Sequence, residues 1–364
     1  MMIINNVQDV QDMARGAVLL GTGGGGDPYV GELFVRAQIR EGNYPKVVDT
    51  SEIADDAFVV SIAGIGAPSV IVEHLVSEKT LLRVLARAEA HFGRRVDALI
   101  SAEIGGANSM FPLALSAVTG LPVVDADGIG RAVPHIEMTT LSIFGCPSTP
   151  AILMDDSGNT ITIEAINDRI SEDLCRAVTG ALGALTYGAL YPMTGKQAKE
   201  IAVQRTLTQT LEIGRAIREA REQSRDIFAA LIECLESRDG RKAKVLFDGK
   251  IVDVTHETRD GWHWGRCTMK PLSGGSDICT VDIQNEFPIA RLNDKPLCMV
   301  PDLISILDSE TGEPLTGEML AYGQRVTVLG YAADDLLRRP ESLEVLGPRC
   351  FGLDMDYTPL EQLG

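Results

Sequence analysis

The sequence predicts two domains: an α/β N-terminal domain, and a second β-rich domain with covering helices. Three observations point there. Short apolar runs alternate with helical stretches through the first third of the chain. The middle is rich in Ala, Leu, Glu, Arg and Gln, and from residue 243 onward short strand-like runs are broken by Gly, Pro and Asp clusters. The β–α alternation favours a layered domain built on a largely parallel sheet. A length of 364 residues fits two domains of roughly 100–200 residues each. The expected division is residues 1–168 for the α/β domain and 169–364 for the helices and β-rich domain.

Residues 8–20 have helical apolar spacing and end at Gly21. Residues 57–62 read as a buried strand, and residues 79–92 as an amphipathic helix with Leu81, Leu82 and Leu85 on one face and Arg83, Arg87 and Glu89 on another. Residues 96–100 form a second buried strand. Residues 111–118 are helical, and residues 122–124 extend toward Asp125. Residues 168–182 and 195–237 carry strong helix formers, with Gly214 marking a local weakness or a close helix contact. Asp248-Gly249 between two apolar runs predicts a hairpin joining residues 243–248 to 250–255.

Composition excludes several classes. With 33 basic and 51 acidic residues the formal charge is −18, so the chain repels nucleic-acid phosphates and anionic lipid. At 45% hydrophobic and 23% charged residues, it has enough apolar surface to offset ordering entropy. No apolar run approaches the ~20 residues that span a bilayer, and polar residues from Asn5 to Asp12 interrupt any leader. The seven cysteines form no CxxC pair, which argues against a disulfide framework or a zinc ribbon and fits a reducing cytoplasm.

Five constellations carry candidate chemistry. Gly21-Thr22-Gly23-Gly24-Gly25-Gly26-Asp27-Pro28 offers backbone amides that can converge on an anion or a polar substrate edge, with a helix starting near Pro28. It lacks the Lys-Ser/Thr of a P-loop, and a helix rather than a strand precedes it, so it is not a Rossmann fingerprint. Glu103-Ile104-Gly105-Gly106-Ala107-Asn108 follows a strand, where ligands of open α/β sheets bind. Asp125 and Asp127 also follow a strand and are two residues apart, so they point the same way and can share a cation, work as acid and base, or bind Arg131. The EF-hand pattern is incomplete, and His256-Glu257 does not extend to HExxH. Trp262 and Trp264 flank His263, as a substrate wall or as ordinary cross-strand aromatics. Cys267 reads as a buried, inert thiol. Asn285 and Glu286 end a strand and face the cleft between domains. His135 can be a metal ligand or general base but reads by default as a hydrogen-bonded structural residue, and His74 lies in or beside the loop near residues 64–68.

Several segments together, LLGTGGGGDPY, EIGGANS, LPVVDADGIGRAVP, FDGKIVDV, QNEF, PDLI and GPRCFGLDMDY, resemble the family formerly called DUF917. That family is associated with S-methyl thiohydantoin desulfurase and with hydantoinase/oxoprolinase proteins. The resemblance runs in order over nearly the whole chain. It implies a hydrolase acting on a hydantoin-like five-membered ring, with water replacing the S-methyl group of a thiohydantoin. Alternatives are a ring-opening hydrolase, a subunit of a hydantoinase/oxoprolinase partner, or a non-catalytic binder of a small ligand. The ligand in each case is a small cyclic imide or amidine-like molecule, and a symmetric homo-oligomer is expected.

For that chemistry the residue types suggest Asp125 or Asp127 as base or ligand of a divalent metal, with Glu103 as partner acid or second ligand. The amides of Gly23, Gly24, Gly25 and Gly26 would hold the substrate's carbonyl or carboxylate, with Asp27, Gly105, Gly106 and Asn108 beside them. Arg131 would be a more distant anion clamp.

Overall fold

The computed structural model describes residues 1–66, 78–259 and 262–363, the side chains of residues 78, 258, 259 and 262 apart. Two sheets organise the chain. Among the described residues the first has nine strands, around a parallel core ordered Lys46–Val48, Pro122–Asp127, Ala98–Ser101 and Phe58–Gly66. Beyond that core the sheet turns antiparallel, through Leu185–Thr194, Ala151–Met154 and Thr160–Ile163. The sheet is therefore mixed rather than largely parallel, because strands from both sides of residue 168 join one edge of the parallel core. The helix Met110–Thr119 between two parallel strands is almost wholly buried, and Glu78–Phe92 covers the sheet beside it.

Among the described residues the second sheet has eight strands, all antiparallel, with the 17-residue strand Ala243–Arg259 near its centre. No turn occurs at Asp248-Gly249. The strand runs straight through, pairing with Trp262–Lys270 on one side and Arg325–Tyr331 on the other. Gly249 serves close strand approach instead: a Cβ there would lie 2.4 Å from the Lys270 carbonyl oxygen. Bulges at residues 245–247 and 251–253 keep the long strand twisted.

Helices link the two sheets. Val7–Leu20 crosses Thr206–Glu222 at the closest range backbones allow: a Cβ on Gly214 would lie 1.9 Å from the Asp12 carbonyl, and one on Gly16 2.0 Å from that of Thr210. Gly214 thus marks a helix contact. Ile227–Asp239 packs on the same helix. Among the described residues no helix is long and apolar enough to cross a membrane.

Candidate functional site

The parallel strands end at one side of the first sheet, and a cavity of about 130 Å³ opens there. Its floor comes from Gly64–Gly66 at the end of one strand and Ala102-Glu103 after the next. Its walls come from the 133–136 loop, the helix Asp168–Ala181, and Asn285-Glu286 of the second domain. The strand-end location matches the position expected for ligand sites in open α/β sheets.

Glu103 is half-buried on the floor and held on both oxygens. Oε1 accepts from Asn108 Nδ2 at 2.8 Å and Oε2 from the Val133 N–H at 3.1 Å. Asn108 is fixed in turn, its Oδ1 accepting the Gly64 N–H at 2.8 Å. Burial pushes the Glu103 carboxyl up to about 7, against the pull of these two donors. Glu286 faces the same cavity and is 2% exposed. Its Oε2 is buried without a hydrogen-bond partner. Burial first, and the Glu103 charge second, hold its carboxyl well above the usual range, while Arg131 pulls it down. Two carboxyls on one cavity, both raised by burial and Glu286 further by the Glu103 charge, are suited to exchanging a proton near neutrality.

The opposite wall is a second network. Glu172 accepts Arg176 Nε at 2.8 Å and the Ile136 N–H at 3.1 Å, and it lies 3.6 Å from His135 Nδ1. Burial raises its pKa, but His135, Arg176 and the Ile136 amide outweigh that and leave it below the usual value. Tyr191, in left-handed backbone conformation at φ 50°, donates its hydroxyl to the Ile136 carbonyl at 2.6 Å. His135 lines the cavity wall.

The two aspartates do not line the cavity. Asp127 is fully buried, and its carboxylate accepts the N–H groups of Ile104, Ile129 and Gly130 at 2.8 to 3.0 Å. It ties two strand-end loops together, with burial raising its pKa to about 7 and those N–H donors lowering it. Asp125 accepts the Thr208 N–H at 3.0 Å and the Thr208 hydroxyl, capping the first turn of Thr206–Glu222. Both carboxylates serve the backbone, which corrects their assignment as catalytic groups and as metal ligands. Among the described residues, the group of three or more ligand atoms lying within 4.8 Å of one another is that of His135, Glu137 and Glu172. Two arginines compensate that group: Arg176 on Glu172, and Arg169 on Glu137 at 3.1 Å.

The glycine loop is chiefly a domain joint. A Cβ on Gly24 would lie 2.2 Å from Glu286 Oε1, and one on Gly23 2.4 Å from the Phe287 ring. Phe287 N–H donates to the Thr22 carbonyl at 2.7 Å, and Gly317 N–H to that of Gly23 at 2.7 Å. Gly25, at φ 77°, packs on the Gly105 carbonyl and faces the cavity; Gly23, Gly24 and Gly26 do not line it. Gly105 and Gly106 back onto the glycine loop, and Asp27 accepts the Tyr29 N–H at the start of the next helix. The amide cradle expected of the loop is thus replaced by backbone packing that brings Glu286 to the cavity.

Arg131 is no anion clamp. It is wholly buried and donates to the carbonyls of Ala132, Pro301 and Asp302 and to the Thr22 hydroxyl, at 2.8 to 3.2 Å. Asp302 is a second buried tie, accepting from Arg338, Tyr357 and the Ala333 and Leu360 N–H groups. Cys267 is buried, and burial pushes its thiol up to about 12, so it is inert as the sequence suggests. His74 and the Trp262 ring lie outside the described residues. Sequence reasoning missed Glu172, Arg176 and Tyr191. The Glu172–Arg176 spacing of four on a helix was visible, but such pairs are common on solvated faces.

Known proteins place these features in a family. A protein from Chromobacterium violaceum solved by X-ray crystallography superimposes with a TM-score of 0.83 and 25% identity, covering 99% of this chain and 100% of its own. No protein of curated function matches. Family models described as the S-Me-THD-like N-terminal and C-terminal domains match residues 8–165 and 166–360. The chain therefore belongs to the S-Me-THD-like family, with both of its domains present.

Proposed function

We propose that the cavity hydrolyses an S-methyl thiohydantoin to the hydantoin and methanethiol. The observation that carries this reading is that Glu103 on the floor and Glu286 on the wall line one cavity, each held toward its protonated form. Membership of the S-Me-THD-like family supports this choice of substrate class. Water adds to the ring carbon between the two nitrogens, and ionised Glu103 takes the water proton. Neutral Glu286 gives its proton to the ring nitrogen as water adds; when the carbonyl forms, Glu286 takes back the hydroxyl proton and Glu103 passes the proton it took to the departing sulfur, so both carboxyls return to their starting states. The carbon–oxygen bond forms, the carbon–sulfur bond breaks, and methanethiol leaves without any change of oxidation state. Asn108 keeps Glu103 aimed.

Incubating the purified protein with an S-methyl thiohydantoin, and assaying free thiol and hydantoin together, tests the reading. Both products should appear in equal amounts. Ligand binding with no thiol release would overturn it.

A further inference from the structure

Behind Asn285 and Glu286 lies a titratable cluster that the proposed reaction does not use. His263 N–H donates to Asn285 Oδ1 at 2.9 Å, and Asn285 N–H donates to the His263 carbonyl at 2.7 Å. Asn285 is left-handed at φ 58°, so this double clamp sets the turn that delivers Glu286 to the cavity. The clamp uses only the main chain of residue 263, which leaves the imidazole, 9% exposed, for another purpose.

Donor logic fixes most of the protons. His256 Nε2 lies 3.2 Å from the Leu320 carbonyl, which only accepts, so His256 Nε2 carries hydrogen. His256 Nδ1 and His263 Nε2 are 2.9 Å apart and share one hydrogen. If the pair is neutral, His263 Nδ1 must then be bare. That atom is buried without a hydrogen-bond partner and faces Glu318 Oε1 at 3.6 Å. A bare nitrogen opposite a carboxylate is repulsive and favours a proton there, while burial first, and the neighbouring His256, hold the His263 imidazole below the usual histidine value. One added proton turns the same contact into N–H facing carboxylate, whichever ring holds the formal charge.

We infer that His263 is a positioning residue whose imidazole, with His256 and Glu318, takes up one proton and thereby sets the charge state of Glu286. The inference rests on the reading of Glu286 as the acid. Glu318, His256 and Glu286 face this junction, and Glu103 and Arg131 face Glu286 from the first domain. With the proton on the histidine pair, the Glu318 charge is balanced and Glu286 ionises more readily. Without it, Glu318 stands uncompensated and keeps Glu286 protonated.

The test follows the Glu286 carboxyl directly in the full-length protein, by pH-difference infrared spectroscopy, with Glu286→Gln identifying the band. Glu318→Gln should move the Glu286 titration to lower pH. His263→Gln, which keeps the main-chain clamp, should move it to higher pH, and Glu318→Asp should restore the wild-type position. Should the Glu286 band titrate identically in wild type, Glu318→Gln and His263→Gln, the inference is overturned. Because the readout needs no turnover, failure of the proposed reaction would show separately, as absent thiol release with the titration shifts intact. Glu318 is partly exposed, so its substitution spares the fold even where that of His263 does not.

Discussion

Asp125 and Asp127 on one strand, and Glu103 and Glu286 on the cavity wall, are four carboxylates near one sheet edge with opposite employment. The aspartates meet N–H and O–H donors from the neighbouring loops and helix. They hold the strand ends in place and present nothing to a ligand. Glu103 is held by two donors at the cavity floor, and Glu286 keeps one oxygen without a donor in a buried wall. Burial raises Glu103 and Asp127 alike to about 7, so what separates the pairs is where they sit: Glu103 and Glu286 line the cavity, while the oxygens of Asp125 and Asp127 are taken up by backbone and hydroxyl donors away from it.

The comparison breaks most visibly at Glu286. Glu286→Gln keeps the shape of the wall and removes the proton source, so thiol release should fall by ~10²–10⁴-fold with the circular dichroism unchanged. A fall of less than a few-fold would remove Glu286 from the chemistry. Next comes Asp127→Asn, which sets an amide against three backbone donors. Urea unfolding should show a loss of ~1–3 kcal/mol, since buried donors are left unpaired; unchanged stability would show that the loops do not depend on this carboxylate.

A smaller effect sharpens the other side. The folded-state pKa of Glu103 is raised from an ordinary 4.5 to about 7. The folded state therefore binds its proton more tightly than the unfolded one. That advantage is complete below about 4.5 and is lost as the pH rises through about 7. Glu103→Gln cannot ionise, so wild type should lose stability relative to this variant across that window. Parallel stability curves would mean that Glu103 is not held toward its neutral form.

Much of the fold was legible because local signals and tertiary packing agreed. The helix ending at Gly21, the buried strand beginning near residue 58, and the helix contact at Gly214 all follow from spacing and glycine placement. Asp248-Gly249 misled because a glycine needed for close strand approach looks the same in sequence as one needed for a turn. The mixed sheet was hidden for a related reason: strand direction depends on distant pairing partners. In the site, Glu103 and Asn108 were found by the strand-end rule, and Asn285-Glu286 by their place at a strand terminus. The same rule overreached at Asp125 and Asp127, since it places a residue at the sheet edge without saying which way its oxygens are consumed. The glycine loop showed the reverse ambiguity, for chain that cradles a ligand and chain that admits another backbone have the same composition. His135 and Glu172 come together only through tertiary packing, 3.6 Å apart across 37 positions of sequence.

The most direct measurement compares thiol release from an S-methyl thiohydantoin by Glu286→Gln and Asp125→Asn, each shown to be folded by circular dichroism. Asp125→Asn keeps an oxygen to accept the Thr208 N–H, so its helix cap largely survives. The account predicts near wild-type turnover for Asp125→Asn and almost none for Glu286→Gln. Turnover retained by Glu286→Gln and lost by a folded Asp125→Asn would contradict it, and would return the chemistry to the strand-end aspartates.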